Sequence, residues 1–145
     1  MIPGIHIHPE YPEKLATEIE NYSKKGVRLA GELVPYLIGY CSTYLMEGYY
    51  ELFDLCMQNN MVISIHRPFN IDECGGLAKR FKGLTIVVAH PGYNEDYLNI
   101  LEAIKKYDNL FLDLSGTGIA AYGMLRHGIN IIGANKILFG TDFPG

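Results

Sequence analysis

The chain predicts an α/β fold of about six parallel strands alternating with helices. Short apolar runs such as Ile63-Ser64-Ile65, Val87-Val88-Ala89 and Ile137-Leu138-Phe139 recur along its 145 residues, each bounded by turn residues as buried strands are. Between them lie stretches with apolar residues at helical spacing. The strand ends fall 24 to 34 residues apart, which is about the chain needed for one strand, one helix and two loops. The strands are apolar nearly throughout, as expected when both faces of a sheet are covered. Residue pattern alone leaves two architectures open, a doubly wound sheet or part of an eight-stranded (β/α) barrel.

Taken in order, Ile5 and Ile7 begin a first strand ending at His8-Pro9. Pro12 and Glu13 open a helix with Leu15, Ile19 and Tyr22 on one face, stopped by Lys24, Lys25 and Gly26. Val27 to Leu33 is the second strand and carries Glu32. Ser42 or Thr43 caps the next helix, whose stripe is Leu45, Tyr49, Leu52, Phe53 and Cys56. Met61 to Ile65 is the third strand, ending at His66. Asn70 and Glu73 make a capping pair for a helix through Phe81. Leu84 to Ala89 leads into His90-Pro91-Gly92, and Asn94 caps a helix bearing Tyr97, Leu101 and Ile104. Leu110 to Leu114 is the fifth strand. A Gly-rich helix over roughly 119–132 and a last strand running to Asp142 complete the series.

Composition bounds the function. One domain over residues 1–145 has length enough for a core. A net charge of −4 gives no general electrostatic footprint for nucleic acid. Cys41, Cys56 and Cys74 are widely spaced and odd in number, which fits buried thiols in a reducing, cytoplasmic setting. No run approaches membrane-spanning length.

Four groups fall at strand ends where parallel α/β folds place their chemistry: Glu32, His66, His90 and Asp142. Two imidazoles and two carboxylates suit zinc or another first-row divalent ion. A strand-end histidine is more often a hydrogen-bonded structural residue, but the matching positions of His66 and His90 put ligand roles first. Glu32 reads equally as a ligand or as a solvent-facing acid. Asp142 reads as a base at the rim or as a loop acid before the Pro144-Gly145 turn.

Gly31-Glu32-Leu33, Ser64-Ile65-His66-Arg67, Ala89-His90-Pro91-Gly92 and Leu138-Phe139-Gly140-Thr141-Asp142-Phe143-Pro144 together resemble the amidohydrolase superfamily, in its branch of small metal-dependent barrel hydrolases. The first two also resemble the Gly-Glu and His-x-Arg segments of metal-dependent deoxyribonucleases in that superfamily. The resemblance implies a partial (β/α)8 TIM-like barrel, with Glu32, His66, His90 and Asp142 closing its fourth, fifth, sixth and eighth strands. It implies that the first two strand units and the last helix of the family barrel are missing. It further implies a divalent metal, expected to be zinc, held by Glu32, His66, His90 and Asp142, with Asp142 as the base that activates water. The expected activity is hydrolysis of an amide, ester, lactone or phosphoester of a small molecule. Decarboxylation of an aromatic or unsaturated acid on the same barrel is the alternative, and an inactive barrel fragment that pairs through its open edges with a partner or a second copy is another.

The family's first-strand His-x-His pair has a counterpart in spacing only, at His6-Ile7-His8, which strand order makes a third-strand feature. His8 is then a substrate contact at the mouth, and Arg67 a contact for an anionic substrate. Ser115 supplies a rim hydrogen bond, Asp113 is structural and His127 is a surface helix residue. Tyr36, Tyr40, Tyr44, Tyr49 and Tyr50 suggest aromatic packing around the fourth unit of the barrel.

Overall fold

The computed structural model describes residues 3–37, 39, 41–116 and 121–142. Its elements are β1 (Gly4–Ile5), α1 (Pro12–Lys24), β2 (Leu29–Leu33), α2 (Glu47–Gln58), β3 (Val62–His66), α3 (Asp72–Arg80), β4 (Ile86–Ala89), α4 (Asn94–Lys106), β5 (Leu110–Asp113), α5 (Met124–Ile132), a 3-10 turn (Ala134–Lys136) and β6 (Ile137–Leu138). All neighbouring strands pair in parallel, in the order β1-β2-β3-β4-β5-β6. A doubly wound sheet reverses its strand order at a switch point. A strictly sequential order has no such point, so this is the open sheet of a partial TIM barrel. Crossovers of one hand then lay the helices along a single face.

Burial records the two faces. Ala30, Leu33, Ile63, Ile65, Ile86, Val88, Leu110 and Leu112 are at most 1% exposed. They pack with helix residues such as Leu15, Ile19, Leu52, Phe53, Leu77, Ile100 and Leu101. The alternating set on the other face, including Leu29, Val62, Ser64 and Phe111, is only half-buried. With Val87, Asp113 and Leu138 it lines a hollow of about 690 Å³ along the concave side of the sheet. Two polar staples close the opposite end of the strands. The Asn109 amide donates to the carbonyls of Ala78, Phe81 and Leu84. Lys136 Nζ donates to the carbonyls of Tyr107, Asp108 and Leu110 and sits 4.5 Å from the centre of the Phe111 ring.

Several boundaries differ from the sequence expectation. The first strand stops at Ile5 rather than His8, because its ladder to β2 covers only Gly4↔Leu29 and Ile5↔Ala30. The second helix begins at Glu47, not behind a Ser42 or Thr43 cap. Thr43 Oγ1 instead accepts the Leu45 N–H within a local turn, and Leu45 is exposed rather than part of the apolar stripe. Asn70 Oδ1 does accept the Asp72 N–H, but Glu73 turns its carboxylate to the Tyr44 N–H (2.9 Å) and the reciprocal cap does not form. The last strand ends at Leu138, where the ladder from β5 ends, so Asp142 lies on the loop beyond it. Tyr40, the expected helix start at Ile119 and the Phe143-Pro144-Gly145 turn lie outside the described residues.

One irregularity positions the site. Ala30 pairs with Ile63 and Leu33 with Ile65, so Gly31 and Glu32 together oppose the single residue Ser64. This is a bulge, with one extra residue in β2. Gly31 has φ +118°, and a side chain there would run into the Ser64 carbonyl oxygen and stand 2.9 Å from the Leu33 nitrogen. Both obstacles are backbone, so they cannot swing aside as a side chain would. Gly31→Ala should therefore lower stability by about 1–3 kcal/mol, the usual scale of overpacking. Urea unfolding followed by circular dichroism checks this, and an unchanged midpoint would remove the requirement for glycine.

Candidate metal centre

Three side chains converge at the carboxyl ends of β2, β3 and β4, and each arrives by a different backbone device. His66 is the last residue of β3 and follows simple alternation, sharing the concave face with Val62 and Ser64. Glu32 gets there by the bulge. Without the extra residue it would lie beside Ile65, behind the sheet against the helices. His90 follows Ala89, whose ladder partner is His66. Strict alternation would send His90 back with Val88. Its left-handed backbone, φ 67°, turns it to the front instead, a conformation in which histidine is among the less disfavoured residues.

The resulting geometry is tight. Glu32 Oε1 lies 2.7 Å from His66 Nδ1 and 3.1 Å from His90 Nε2, and the two rings meet edge to face at 4.7 Å. One donor atom from each of Glu32, His66 and His90 falls within 4.8 Å of the others, the one such group among the described residues. The His90 ring is nearly buried. Its Nδ1–H donates to the Ser115 carbonyl (3.1 Å), which turns Nε2 towards the cluster, a donor to Glu32 when it carries a proton and a lone pair for a cation when it does not. Ser115 is held in turn by Asp113, which accepts from the Ser115 hydroxyl (2.8 Å) and its N–H (3.0 Å). The roles expected of Ser115 and Asp113 therefore appear as a relay that orients His90. Burial alone would raise the Glu32 carboxyl, but the hydrogen bonds to His66 and His90 and the electrostatic attraction between the carboxylate and these imidazoles outweigh it and hold the group below its ordinary value.

A carboxylate oxygen and two imidazole nitrogens, one with its tautomer set by a carbonyl, are a donor set that fits a first-row divalent cation. Asp142 stands outside this triad. It is exposed, with φ 57°, and its Oδ2 lies 3.1 Å from where a Cβ on Gly116 would sit, a position that would also collide with the His90 ring. The carboxylate is thus a neighbour of His90 across Gly116. His6 and His8 are also outside the cluster. His8 Nδ1 accepts the Glu10 N–H (3.2 Å), and its ring packs at 5.5 Å on Tyr11. Arg67 Nη1 is paired with Asp96 Oδ2 at 3.1 Å, near the start of α4. His127 lies exposed on α5, as expected of a surface residue.

Two tyrosines matter here in ways that residue spacing did not single out. The Tyr44 hydroxyl is shared between the carbonyls of Leu33 (2.6 Å) and His66 (3.0 Å), tying the strand ends that carry Glu32 and His66. Burial pushes that hydroxyl far above its ordinary range, so it keeps its proton, and it donates because both partners are carbonyls. The Tyr44 N–H donates to the buried Glu73. The Tyr36 hydroxyl lies 3.1 Å from His66 Nε2, and its ring meets His66 edge-on and packs at a tilt against the exposed Phe69. The cluster of five tyrosines between positions 36 and 50 was the available signal, but their individual partners are not local in sequence.

The fold and this cluster define a partial (β/α) barrel in which a glutamate and two histidines, a donor set that could hold a cation, meet at the carboxyl ends of the strands. The amidohydrolase family model matches residues 1–145, and the chain belongs to that family. A comparison with curated proteins finds no match. Among solved structures, 5-carboxyvanillate decarboxylase from Sphingomonas paucimobilis is 15% identical, with TM-score 0.67 over 96% of this chain and 55% of its own. Dihydroorotase from Campylobacter jejuni is 15% identical, with TM-score 0.65 over 96% and 50%. The 5-carboxyvanillate decarboxylase of Novosphingobium aromaticivorans, solved with manganese and 4-hydroxy-3-methoxy-5-nitrobenzoic acid, is 14% identical, with TM-score 0.63 over 95% and 53%. At these identities the likeness is one of fold, and the chain spans about half the length of the structures it matches.

The lowered Glu32 carboxyl makes a prediction for cation-free protein. A depressed carboxyl contributes stability that is fully present above its unfolded value of 4.5 and is lost as pH falls through the lower folded value. Glu32→Gln should flatten the pH dependence of stability in that window. Chemical unfolding at several pH values below 5.5, in chelator, measures it. An identical slope in wild type and Glu32→Gln would show that the contacts to His66 and His90 do not stabilise the carboxylate.

Proposed function

We infer that the chain carries the cation-binding site of a metal-dependent hydrolase active on a small molecule. The observation that carries this is the convergence of Glu32, His66 and His90 on one point at the carboxyl ends of adjacent parallel strands. A divalent ion bound there supplies Lewis-acid polarisation of a carbonyl or phosphoryl group and acidifies water. Zinc suits the donor set, and manganese, which one solved relative holds, suits it as well. Glu32, His66 and His90 serve as ligands, with Ser115 orienting the His90 ring and Tyr44 joining the two strand ends. Asp142, on the rim beside His90, takes the proton from the attacking water and returns it to the leaving group. The bond broken is an amide, ester, lactone or phosphoester.

A second reading keeps the site and changes the reaction to decarboxylation of an aromatic acid. The strip of rings from exposed Phe69 through Tyr36 to His66 favours it, since such a surface suits a planar substrate. Arg67 could meet its carboxylate only by leaving Asp96. A panel of lactams, esters, phosphoesters and aromatic acids, assayed for hydrolysis and for carbon dioxide release, separates the two reactions.

Two results test the site. Full-length wild-type protein should bind about one equivalent of zinc or manganese through this cluster, and a His66→Ala/His90→Ala double variant should lose it. Equal metal content by elemental analysis would sink the ligand assignment. Asp142→Asn should retain metal and substrate affinity while turnover falls roughly a hundredfold or more, the scale of general-base catalysis. Wild-type turnover in that variant would return Asp142 to the status of a loop acid.

A further inference from the structure

His66 and His90 differ in what holds their outer nitrogens. His90 Nδ1 faces the Ser115 carbonyl, which can only accept, and at 3.4 Å the Ser115 hydroxyl, whose proton is given to Asp113, so the neutral ring keeps its proton there. The partner of His66 Nε2 is the Tyr36 hydroxyl at 3.1 Å, which can donate or accept. The inner nitrogen, Nδ1, lies 2.7 Å from Glu32 Oε1, an acceptor when ionised. The two ends of the ring are therefore coupled. If Nδ1 carries the proton and donates to Glu32, Nε2 is an acceptor and Tyr36 donates to it. If Nδ1 offers its lone pair to a cation, the proton resides on Nε2 and Tyr36 accepts it.

We propose that Tyr36 is a positioning residue whose hydroxyl reverses from donor to acceptor when a divalent cation enters the Glu32–His66–His90 cluster, allowing His66 to change tautomer in place. The inference rests on reading that cluster as a cation site. The change conserves protons: one leaves Nδ1 to water, one arrives at Nε2 from water, and the Tyr36 O–H rotates about its C–O bond. The ring itself need not turn. It is held by edge-on packing against Tyr36 at 5.5 Å and His90 at 4.7 Å. Tyr36 is 42% exposed, which leaves its hydroxyl in reach of the water that carries the exchange. Removing the hydroxyl takes a partner from Nε2 in both tautomers, but the cation-free tautomer retains its bond to Glu32 through Nδ1, whereas the metal-competent tautomer is left with an Nε2–H deprived of its acceptor.

The test uses the full-length protein, zinc as probe and Tyr36→Phe as variant. Nitrogen-15 NMR of the histidine rings should show His66 protonated at Nδ1 in chelator and at Nε2 with zinc, whereas His90 stays protonated at Nδ1 throughout. Calorimetric titration should show zinc affinity weakened about 10- to 100-fold in Tyr36→Phe, the range for outer hydrogen-bond partners of ligands. Thermal stability in chelator should fall by no more than the loss of one half-exposed hydrogen bond, a small effect beside the change in zinc affinity, which separates positioning from folding. Zinc affinity within twofold of wild type, or Nε2 protonation of His66 already present without zinc, overturns the role of Tyr36 and leaves the cation site standing. Absence of saturable zinc binding in wild type overturns both.

Discussion

The extra residue in β2 is the constraint on which the site depends. A strand alternates its side chains strictly, so a one-residue change in register moves everything beyond it to the other face. Between Ala30 and Leu33, both of which must face the helices, an unbroken strand has no place for an acid on the concave side next to His66. The bulge resolves this by setting two residues against Ser64. Gly31 absorbs the close approach, and Glu32 is released towards the histidines. The alternative would bury a carboxylate among Ile65 and the helix core, at a cost of several kcal/mol unless it were neutralised. Packing and chemistry here make the same demand on one backbone irregularity.

The cluster is supported from behind by groups that take no part in holding a cation. Tyr44 ties the ends of β2 and β3 through their last carbonyls, and Glu73 anchors the Tyr44 backbone from α3. A neutral hydrogen bond is worth only about 1 kcal/mol net, but a buried carbonyl left without its donor costs about 1–3 kcal/mol. Satisfying these groups therefore does more for the position of the strand ends than for total stability. On the other side, Asp113 and Ser115 perform the same service for His90. The site belongs to four consecutive strands, and its accuracy is inherited from the ladder that joins them.

Sequential strand order also explains why the two faces of the sheet differ. One face is sealed by helices and supplies the core. The other is a hollow lined by Leu29, Val62, Val87, Phe111 and Leu138. In a closed barrel such a face is filled by layers of side chains. The Glu32–His66–His90 cluster lies above it, where strand ends and loops meet, and the staples of Asn109 and Lys136 hold the opposite end. The division between a chemical end and a structural end is the usual one for this architecture.

Much of this was determined by the sequence alone. The alternation of apolar strands with amphipathic helices, spaced for parallel crossovers, established the class. His66 could be placed from alternation with Val62 and Ser64, because that signal is local. Glu32 and His90 could be nominated by residue type and position at strand ends, but not oriented. One needed a bulge and the other a left-handed turn, and each reverses what alternation implies. The capping expectations at Ser42, Thr43 and Glu73 failed for a related reason: Tyr44 found better partners in two strand ends and in α3, far away in sequence. Only the tertiary structure decided between a doubly wound sheet and a barrel, because strand order is a property of pairing and not of any one strand. It alone gave Tyr36 and Tyr44 their partners, since a side-chain hydrogen bond between distant elements leaves no periodic trace in the chain.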